Sequence, residues 1–503
     1  MVFHLYLLFL PFLTILVLFF IQKHKSGASL KPPGPKGLPL IGNLLQIDNS
    51  APHYYLWQLS KRYGPLMSMR LGLFPTLVVS SAEMAKEVMK THDLEFSGRP
   101  SFLGQQKLSY HGLDLGFATY GPYWREMKKL CVSHLFNSKQ VQSFRHVREY
   151  EVQRMIKKIQ RINSSSLDEV VIDLKELAMS LSSSIICRVA VGKNYEANST
   201  ANYKNGTSRF HVLLQEVQAM VGTFFFSDYL PIIGWVDRLR GMIGRLEKTF
   251  KEFDMFCQQI IDDHMDKLSG GENDSDIVDV LLRVMKENSF SINITSENIK
   301  AVLLDILSAG TDTPAATIVW AMTALMKNPR VMKIAKDEIR ELFGEKDFIN
   351  EEDIQRLPYL KAVVKETMRL YPPVPLLLPR ETIQGCNING YEIKPKTLVF
   401  VNALAIGRDP AAWEEPEAFI PERFLDSPID FRGLHFELIP FGAGRRICPA
   451  VYMSAIIVEL SLANLLHSFN WDLPSGTKRE DIDTDVMPGI TMHKKNALCL
   501  VAK

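Results

Sequence analysis

Apolar residues are concentrated at the start of the chain, where residues 1–21 are rich in Leu, Phe and Ile and carry no charge unless His4 is protonated. About 20 apolar residues are enough for a helix to cross a bilayer. Basic residues and a proline-rich run follow, and basic flanks favour the cytosolic side of a membrane. A cleaved signal peptide is the alternative, but no A-x-A-like cleavage site follows. The pattern predicts a transmembrane anchor over residues 1–21, a basic, proline-rich hinge over 22–36 and a globular domain over 37–503.

A second apolar stretch predicts one long buried helix from about Ser296 to Lys327. Thr295 and Ser296 are suitable capping residues, and an Asn–Pro pair follows the end of the stretch. Asp305 and Asp312 carry the only charges within its apolar part. A helix that is apolar on nearly all sides is buried, and a buried carboxylate needs a reason.

Most of the remaining pattern has helical periodicity, and no internal repeat or second linker interrupts it. Short runs typical of β-strands occur at Leu66–Leu71, Thr76–Val79, Gly390–Ile393 and Thr397–Val401. The sequence therefore predicts a mainly α domain with a small β portion, organised as one unit.

Composition and charge exclude several classes of protein. The 503 residues carry a formal net charge of +2, so no strong field indicates a nucleic-acid partner. The six cysteines lie far apart and form no C-x-x-C pair, which argues against a zinc ribbon, an iron–sulfur cluster or a thioredoxin site. A disulfide framework is equally unexpected in so long a chain, so the cysteines are predicted to be reduced.

One cysteine stands in a chemically informative setting, the segment FGAGRRICPA over residues 441–450. The glycine-rich segment is expected to form a loop that places Cys448 at the start of an apolar helix, predicted to begin at about Pro449. The free N–H groups of a helix start favour a thiolate, the form that binds metals. These residues alone are equally compatible with a buried structural cysteine.

The same segment resembles the haem-binding loop F-x-x-G-x-R-x-C-x-G of the cytochromes P-450, with Ala450 in place of the last glycine. The resemblance implies the cytochrome P-450 fold with haem b as cofactor. It also implies that Cys448 is the axial ligand of the iron and that Phe441, Gly444 and Arg446 help to hold the haem.

Two further motifs resemble the family's charged cluster. Glu366 and Arg369 match E-x-x-R, and residues three apart face the same way on a helix. By family position Arg423, in the run Pro-Glu-Arg-Phe, completes a buried triad with them. Such a cluster supports the haem loop and is not catalytic.

The run Ala-Gly-Thr-Asp-Thr over residues 309–313 matches the family's A/G-G-x-D/E-T inside the predicted long helix. Oxygen activation needs protons in a largely dry pocket, so the resemblance assigns Asp312 and Thr313 to proton delivery. Pro314 cannot donate to the carbonyl of Gly310 and disfavours helical geometry at Thr313. We therefore expect a local opening of the helix, although a simple proline kink is the alternative.

By family position, the haem propionates are expected to meet Arg446, Arg380, Trp124 and Lys128. Lys128 departs from the usual W-x-x-x-R and lacks the bidentate fork of arginine. No dinucleotide or flavin motif is present, so the resemblance implies electrons from NADPH through a separate flavoprotein reductase. It further implies a single-pass protein of the endoplasmic reticulum membrane whose haem-thiolate catalytic domain, residues 37–503, is cytosolic.

The resemblance is to plant A-type members. Three stretches look closest to the branch that oxidises amino-acid-derived aldoximes, namely GQQKLSYHG (from Gly104), LGFATY (from Leu115) and ELIPFGAGRRICPA (from Glu437). A mainly apolar pocket for a small hydrophobic substrate is expected. By family analogy its walls are Gly104–Phe117, Gln218–Phe226, Ala301–Thr313, Val374–Leu378 and Pro488–Thr491.

The expected function is therefore a monooxygenase of a plant specialised metabolite, first of all an aldoxime. A terpenoid or a phenylpropanoid/flavonoid hydroxylase is the alternative within that class. A reductase-independent haem-thiolate isomerase or dehydratase is a second enzyme class, against which the Asp312–Thr313 pair argues. A non-catalytic haem carrier is a third possibility, with only the anchor in its favour.

Overall fold

The structure is a computed structural model that describes residues 30–165, 169–194, 209–269, 276–288 and 290–503. The predicted anchor over residues 1–21 and the first part of the hinge lie outside the described residues. Within the described part, helices dominate and three small sheets complete the fold. The predicted class, mainly α with a small β portion, is confirmed.

The α-helices span Pro52–Tyr63, Ala82–Lys86, Leu103–Leu108, Pro122–Leu130, Ser138–Ser143, Arg145–Ser164, Leu174–Val191, Arg209–Val221, Phe226–Tyr229, Trp235–Leu239, Met242–Ser269, Ile277–Glu287, Ser296–Leu304, Gly310–Lys327, Pro329–Phe343, Glu351–Ile354, Pro358–Leu370, Ala403–Ile406 and Val451–Ser468. Wider π-helical turns occupy Glu87–Thr91, Cys131–Leu135 and Asp305–Ala309. The strands are β1 (Leu66–Leu71), β2 (Phe74–Val79), β3 (Val171–Asp173), β4 (Arg380–Glu381), β5 (Cys386–Ile388), β6 (Tyr391–Ile393), β7 (Leu398–Val401), β8 (Trp471–Asp472) and β9 (Cys499–Ala502).

The largest sheet has the order β1-β2-β7-β4, and the four predicted runs appear as β1, β2, β6 and β7. β1 and β2 form an antiparallel hairpin, whereas β2 and β7 are parallel, with Thr76 opposite Leu398. The other sheets are β3-β9-β8 and the hairpin β5-β6. All four strand predictions are confirmed to within two residues at their ends.

The predicted long helix is confirmed as the central element of the core. It runs from Ser296 to Lys327, starts at a capping box in which Asn298 accepts a hydrogen bond from the Thr295 N–H at 2.8 Å, and contains one π-helical turn. It packs against the Leu174–Val191 and Val451–Ser468 helices.

Among the described residues, the long helix and the Val451–Ser468 helix have the length and composition of membrane spans. In each, 72% of the most apolar window is buried inside the protein. Their apolar character is therefore accounted for by packing in the core, since a helix that is hydrophobic all round is a buried one.

Candidate functional site

A cavity of about 650 Å³ lies between the long helix and the loop that carries Cys448. Seven of the nine sequence-predicted site residues line it, and they are Trp124, Lys128, Asp312, Thr313, Phe441, Arg446 and Cys448. The remaining two, Gly444 and Arg380, are not among its lining residues. A side-chain N–H of Arg380 donates to the Ala443 carbonyl at 3.1 Å. A volume of this size is typical of a site for a small molecule or cofactor.

The loop holds Cys448 by backbone contacts. The N–H of Cys448 donates to the carbonyl of Phe441 at 3.0 Å. Gly444 has φ +70°, and a Cβ at this position would lie 2.2 Å from the carbonyl oxygen of Met89. Only glycine avoids both the strain and the clash, because it has no Cβ.

The electrostatic environment of Cys448 differs from the one that the sequence predicted. The following helix begins at Val451 and not at Pro449, which places the thiol further from the helix start than expected. Burial raises the pKa of Cys448 to about 11, although the N–H of Ala450 opposes the shift. Burial thus outweighs the favourable backbone contact, and a bound metal cation is what would hold this sulfur as a thiolate.

Cationic side chains gather at the same end of the cavity. Arg446 donates to the carbonyls of Ser97 at 2.9 Å and Ala118 at 2.7 Å, and its guanidinium lies 4.3 Å from the centre of the Trp124 ring. Lys128 donates to the carbonyl of Arg445. Burial lowers the pKa of Arg446 to about 9 and also lowers the pKa of Lys128.

Arg99 belongs to the same group but was missed by the sequence analysis. Its guanidinium donates to the carbonyls of Gly116, Leu378 and Pro379, each at 2.8 Å. Burial lowers the pKa of Arg99 well below its ordinary value. Nothing in its local sequence separates it from a surface arginine, because its burial depends on segments distant in the chain.

These residues fit the cofactor that the resemblance implies. Arg99, Arg446 and Lys128 all line the cavity and donate to uncharged backbone carbonyls. A ligand carrying carboxylates, such as the propionates of haem, would supply the missing negative charge. A cysteine sulfur on the same cavity supplies the soft donor that iron accepts.

The long helix opens beside the cavity, but one turn earlier than predicted. The π-helical turn covers Asp305–Ala309, whereas the segment from Gly310 continues as α-helix through Pro314. The hydroxyl of Thr313 donates to the carbonyl of Ala309 at 2.9 Å. The expected departure of Thr313 from helical geometry is therefore wrong, because packing in the core overrides the local preference of a residue before proline.

The wider turn carries Asp305, one of the two aspartates of the long helix. The carboxylate of Asp305 accepts the N–H groups of Leu115 at 2.7 Å and Gly116 at 3.3 Å. Burial raises its pKa above the ordinary value, against these hydrogen bonds. Asp305 thereby ties the loop around Leu115 to the helix.

Asp312 has a partner that the sequence analysis did not identify. Its side chain is 10% exposed, and one carboxylate oxygen lies 2.7 Å from Nε2 of His493. His493 belongs to the loop before β9 and also lines the cavity. The two residues are 181 positions apart in the chain, so no local spacing could have paired them.

The predicted charged triad is confirmed. Arg369 donates to both carboxylate oxygens of Glu366, at 2.6 and 2.7 Å, and Arg423 donates to one of them at 3.2 Å. Glu366 is fully buried and Arg369 nearly so. The N–H of Ile420 completes the shell of Glu366 at 2.8 Å, so the buried charges are paired and hydrogen-bonded.

The predicted cavity walls are confirmed in part. From the first predicted segment only Leu115, Gly116 and Phe117 are among the lining residues, while Gly104 packs against Met220 and Phe225. The other walls come from all four further segments, including Gln218, Ile306, Leu377 and Ile490. The stretch from Gly104, one of the three that suggested an aldoxime substrate, is therefore placed outside the cavity wall.

Comparisons with known proteins agree with this geometry. The family model for cytochrome P450 matches residues 32–501. The chain is 48% identical to the 5-OH-xanthotoxin synthase of Pastinaca sativa, over 98% of this chain and 97% of that one. It is 46% identical to the 6,7,8-trihydroxycoumarin synthase of Pastinaca sativa, with 98% and 97% covered, and 46% identical to the strychnine-11-hydroxylase of Strychnos nux-vomica, with 97% and 94% covered.

The fold is also similar to solved structures. A zebrafish cytochrome P450 determined with abiraterone superposes with a TM-score of 0.73, at 26% sequence identity, over 90% of this chain and 98% of the other. The structure with progesterone gives a TM-score of 0.74 at 25% identity, over 90% and 99%.

Proposed function

Because the chain belongs to the cytochrome P450 family, a family of haem monooxygenases, we propose that it oxidises a small aromatic plant metabolite of the phenylpropanoid type, such as a coumarin. The observation that carries the proposal is one cavity lined by Cys448, the Asp312–Thr313 pair and apolar walls. Two of the relatives at 46–48% identity are named for hydroxylated products, 5-OH-xanthotoxin and 6,7,8-trihydroxycoumarin. The aldoxime prediction receives no support from these relatives.

Haem, when bound, supplies an iron that activates dioxygen for insertion of one oxygen atom into the substrate. On our proposal, Cys448 ligates that iron and Phe441 and Gly444 shape the loop. Arg446, Lys128 and Trp124, together with Arg99, hold the propionates, while Arg380, which does not line the cavity, supports the loop through its bond to the Ala443 carbonyl. The apolar walls exclude water and position the aromatic substrate.

The experiment that tests the substrate class uses a panel of coumarins, terpenes and aldoximes. Binding is measured by difference spectra, and turnover is measured with a plant NADPH-dependent flavoprotein reductase. We expect at least one coumarin to bind and to gain a hydroxyl group, with consumption of NADPH and oxygen. Turnover of an aldoxime or terpene with no coumarin turned over would contradict the substrate class but not the reaction class.

Thr313 is proposed to pass a proton into the cavity from Asp312. Thr313→Ala should retain haem and substrate binding while product formed per NADPH falls by at least about tenfold, since proton transfer by a positioned side chain contributes roughly 10²–10⁴-fold. Thr313→Ser should restore coupling because it keeps the hydroxyl. Coupling is measured as the ratio of product to NADPH, with peroxide quantified alongside.

Thr317→Ala is the matched control for Thr313. The hydroxyl of Thr317 makes the same kind of bond, to the carbonyl of Thr313 at 2.8 Å, one turn further along the helix. Thr317 is not among the cavity-lining residues, so its removal should leave coupling unchanged. Equal uncoupling in both variants would show that the effect comes from the helix and not from proton delivery.

We further propose that residues 1–21 anchor the protein in the endoplasmic reticulum membrane, that residues 22–36 form the hinge and that residues 37–503 face the cytosol. Five N-x-S/T sequons occur, at Asn163, Asn198, Asn205, Asn273 and Asn293. None should carry a glycan in plant or yeast microsomes, because the glycosylation machinery is lumenal. A mass shift that endoglycosidase removes would reverse the proposed orientation.

A further inference from the structure

The partner of Asp312 is held firmly in place. The N–H of His493 donates to the carbonyl of Thr491 at 3.1 Å, and its own carbonyl accepts from Met487 at 2.9 Å. The indole N–H of Trp320, from the same helix as Asp312, donates to the carbonyl of Met492 at 2.6 Å. The loop is thus fixed to the helix two turns beyond Asp312, and the imidazole is presented to the carboxylate.

The direction of this contact follows from simple hydrogen-bond chemistry. An ionised carboxylate can only accept, so with Asp312 ionised it is Nε2 of His493 that donates, 2.7 Å from Oδ1 of Asp312. The side chains of His493 and Asp312 are 19% and 10% exposed. Imidazole can take up a proton at one ring nitrogen while releasing one from the other, which makes it suited to proton transfer near neutral pH.

The cavity reaches the surface beside this pair. Lys175, Gln215 and Met487 line the same cavity and are partly or largely exposed. Nζ of Lys175 lies 3.3 Å from the sulfur of Met487. We refer to these three residues as the rim.

Other titratable groups face the pair from the neighbouring helices. His211 interacts electrostatically with Asp312, Glu176 and Lys175, and burial lowers the pKa of His211. Lys494, next in the chain, is bound to Asp483 at 2.8 Å instead. Among these groups, it is His493 that makes the direct hydrogen bond to Asp312.

We propose that His493 passes protons from the rim to Asp312, which makes it the outer member of the proton path of the proposed monooxygenase. This inference rests on the proposed function. In one transfer, a solvent proton binds Nδ1 of His493, the Nε2–H bond breaks, and an O–H bond forms on Asp312. Exchange with solvent then restores the starting tautomer, so no electrons are gained or lost and the imidazole is unchanged.

The test uses the full-length holoenzyme reconstituted with reductase. His493→Gln keeps a donor to Asp312 but cannot relay a proton. We expect haem content and the substrate KM to be unchanged, kcat to fall about tenfold, and the solvent isotope effect to increase. His467→Gln is the matched control, since that imidazole contacts the Lys346 carbonyl and is not among the cavity-lining residues.

A double-mutant cycle separates a relay from a structural role. In an Asp312→Asn background, His493→Gln should cost nothing further, because both variants interrupt one path. Three results would overturn the proposal. They are an equal fall in kcat in both backgrounds, a wild-type kcat and isotope effect in His493→Gln, and the same fall in kcat in His211→Gln.

A spectroscopic measurement tests the contact without relying on turnover. ¹⁵N NMR of the diamagnetic ferrous carbon-monoxide form should show His493 protonated at Nε2 in the wild type and a mixture of tautomers in Asp312→Asn. An Nδ1-protonated ring in the wild type would overturn the inference. Failure of the wild type to oxidise any substrate would contradict the proposed function alone, while the ring spectra would still decide this contact.

Discussion

Replacing Cys448 by serine is expected to abolish the strongly red-shifted Soret band that a thiolate ligand gives to the reduced, carbonyl-bound haem. Serine retains the size of the side chain but lacks the soft sulfur donor. The loop should survive the change, because the contacts that hold it, such as the bond from the Cys448 N–H to the Phe441 carbonyl, belong to the backbone. The measurement is the difference spectrum of purified protein, with haem content determined separately.

Cys386→Ser is the matched control for this experiment. Cys386 lies on β5, away from the cavity-lining residues, and burial raises its pKa to about 11, as it does for Cys448. The control should retain the shifted band. A wild-type protein fully loaded with haem but lacking that band would refute the ligand assignment, as would a Cys448→Ser variant that keeps it.

The second large effect is expected at the buried triad. Glu366→Gln removes the negative charge that pairs with Arg369 and Arg423. The buried Arg369 and the half-buried Arg423 would then lose their carboxylate partner, and breaking a buried ion pair typically costs about 3–5 kcal/mol. We expect a large fall in the denaturant midpoint and poor retention of haem. Both are measured on detergent-solubilised protein.

The surface offers a control with similar bonds in a different dielectric environment. Glu216 pairs with Arg245 through two hydrogen bonds of 2.5 and 2.8 Å, but the two side chains are 32% and 49% exposed. Glu216→Gln should cost about 1 kcal/mol or less, because water screens exposed pairs. Similar losses in the two variants would show that burial of the triad contributes little to stability.

Patterns that act over short distances in the chain were predictable. Short runs typical of β-strands marked β1 and β7, and the apolar stretch bounded by Thr295 and Asn328 marked the long helix. The pairing of Glu366 with Arg369 follows from helical spacing alone. In each case the signal comes from residues that are close together in the sequence.

Features that depend on distant parts of the chain were not predictable. Arg99 becomes part of the cavity wall through the carbonyls of Leu378 and Pro379, and His493 meets Asp312 across 181 positions. The π-helical turn at Asp305–Ala309 escaped detection because its hydrogen bonds shift by one residue without a sequence marker. The burial that raises the pKa of Cys448 likewise exists only once the core has closed.

The parallel pairing of β2 with β7 has a consequence for synthesis on the ribosome. The partner of Val79 is Val401, so β2 leaves the exit tunnel roughly 320 residues before its neighbour. At about 5–20 residues per second this delay lasts roughly 15–65 seconds. During that time the hairpin β1–β2 has an open edge that could pair with another nascent chain. Slower elongation lengthens this exposure and should therefore favour aggregation, whereas faster elongation or added chaperone should raise the soluble yield.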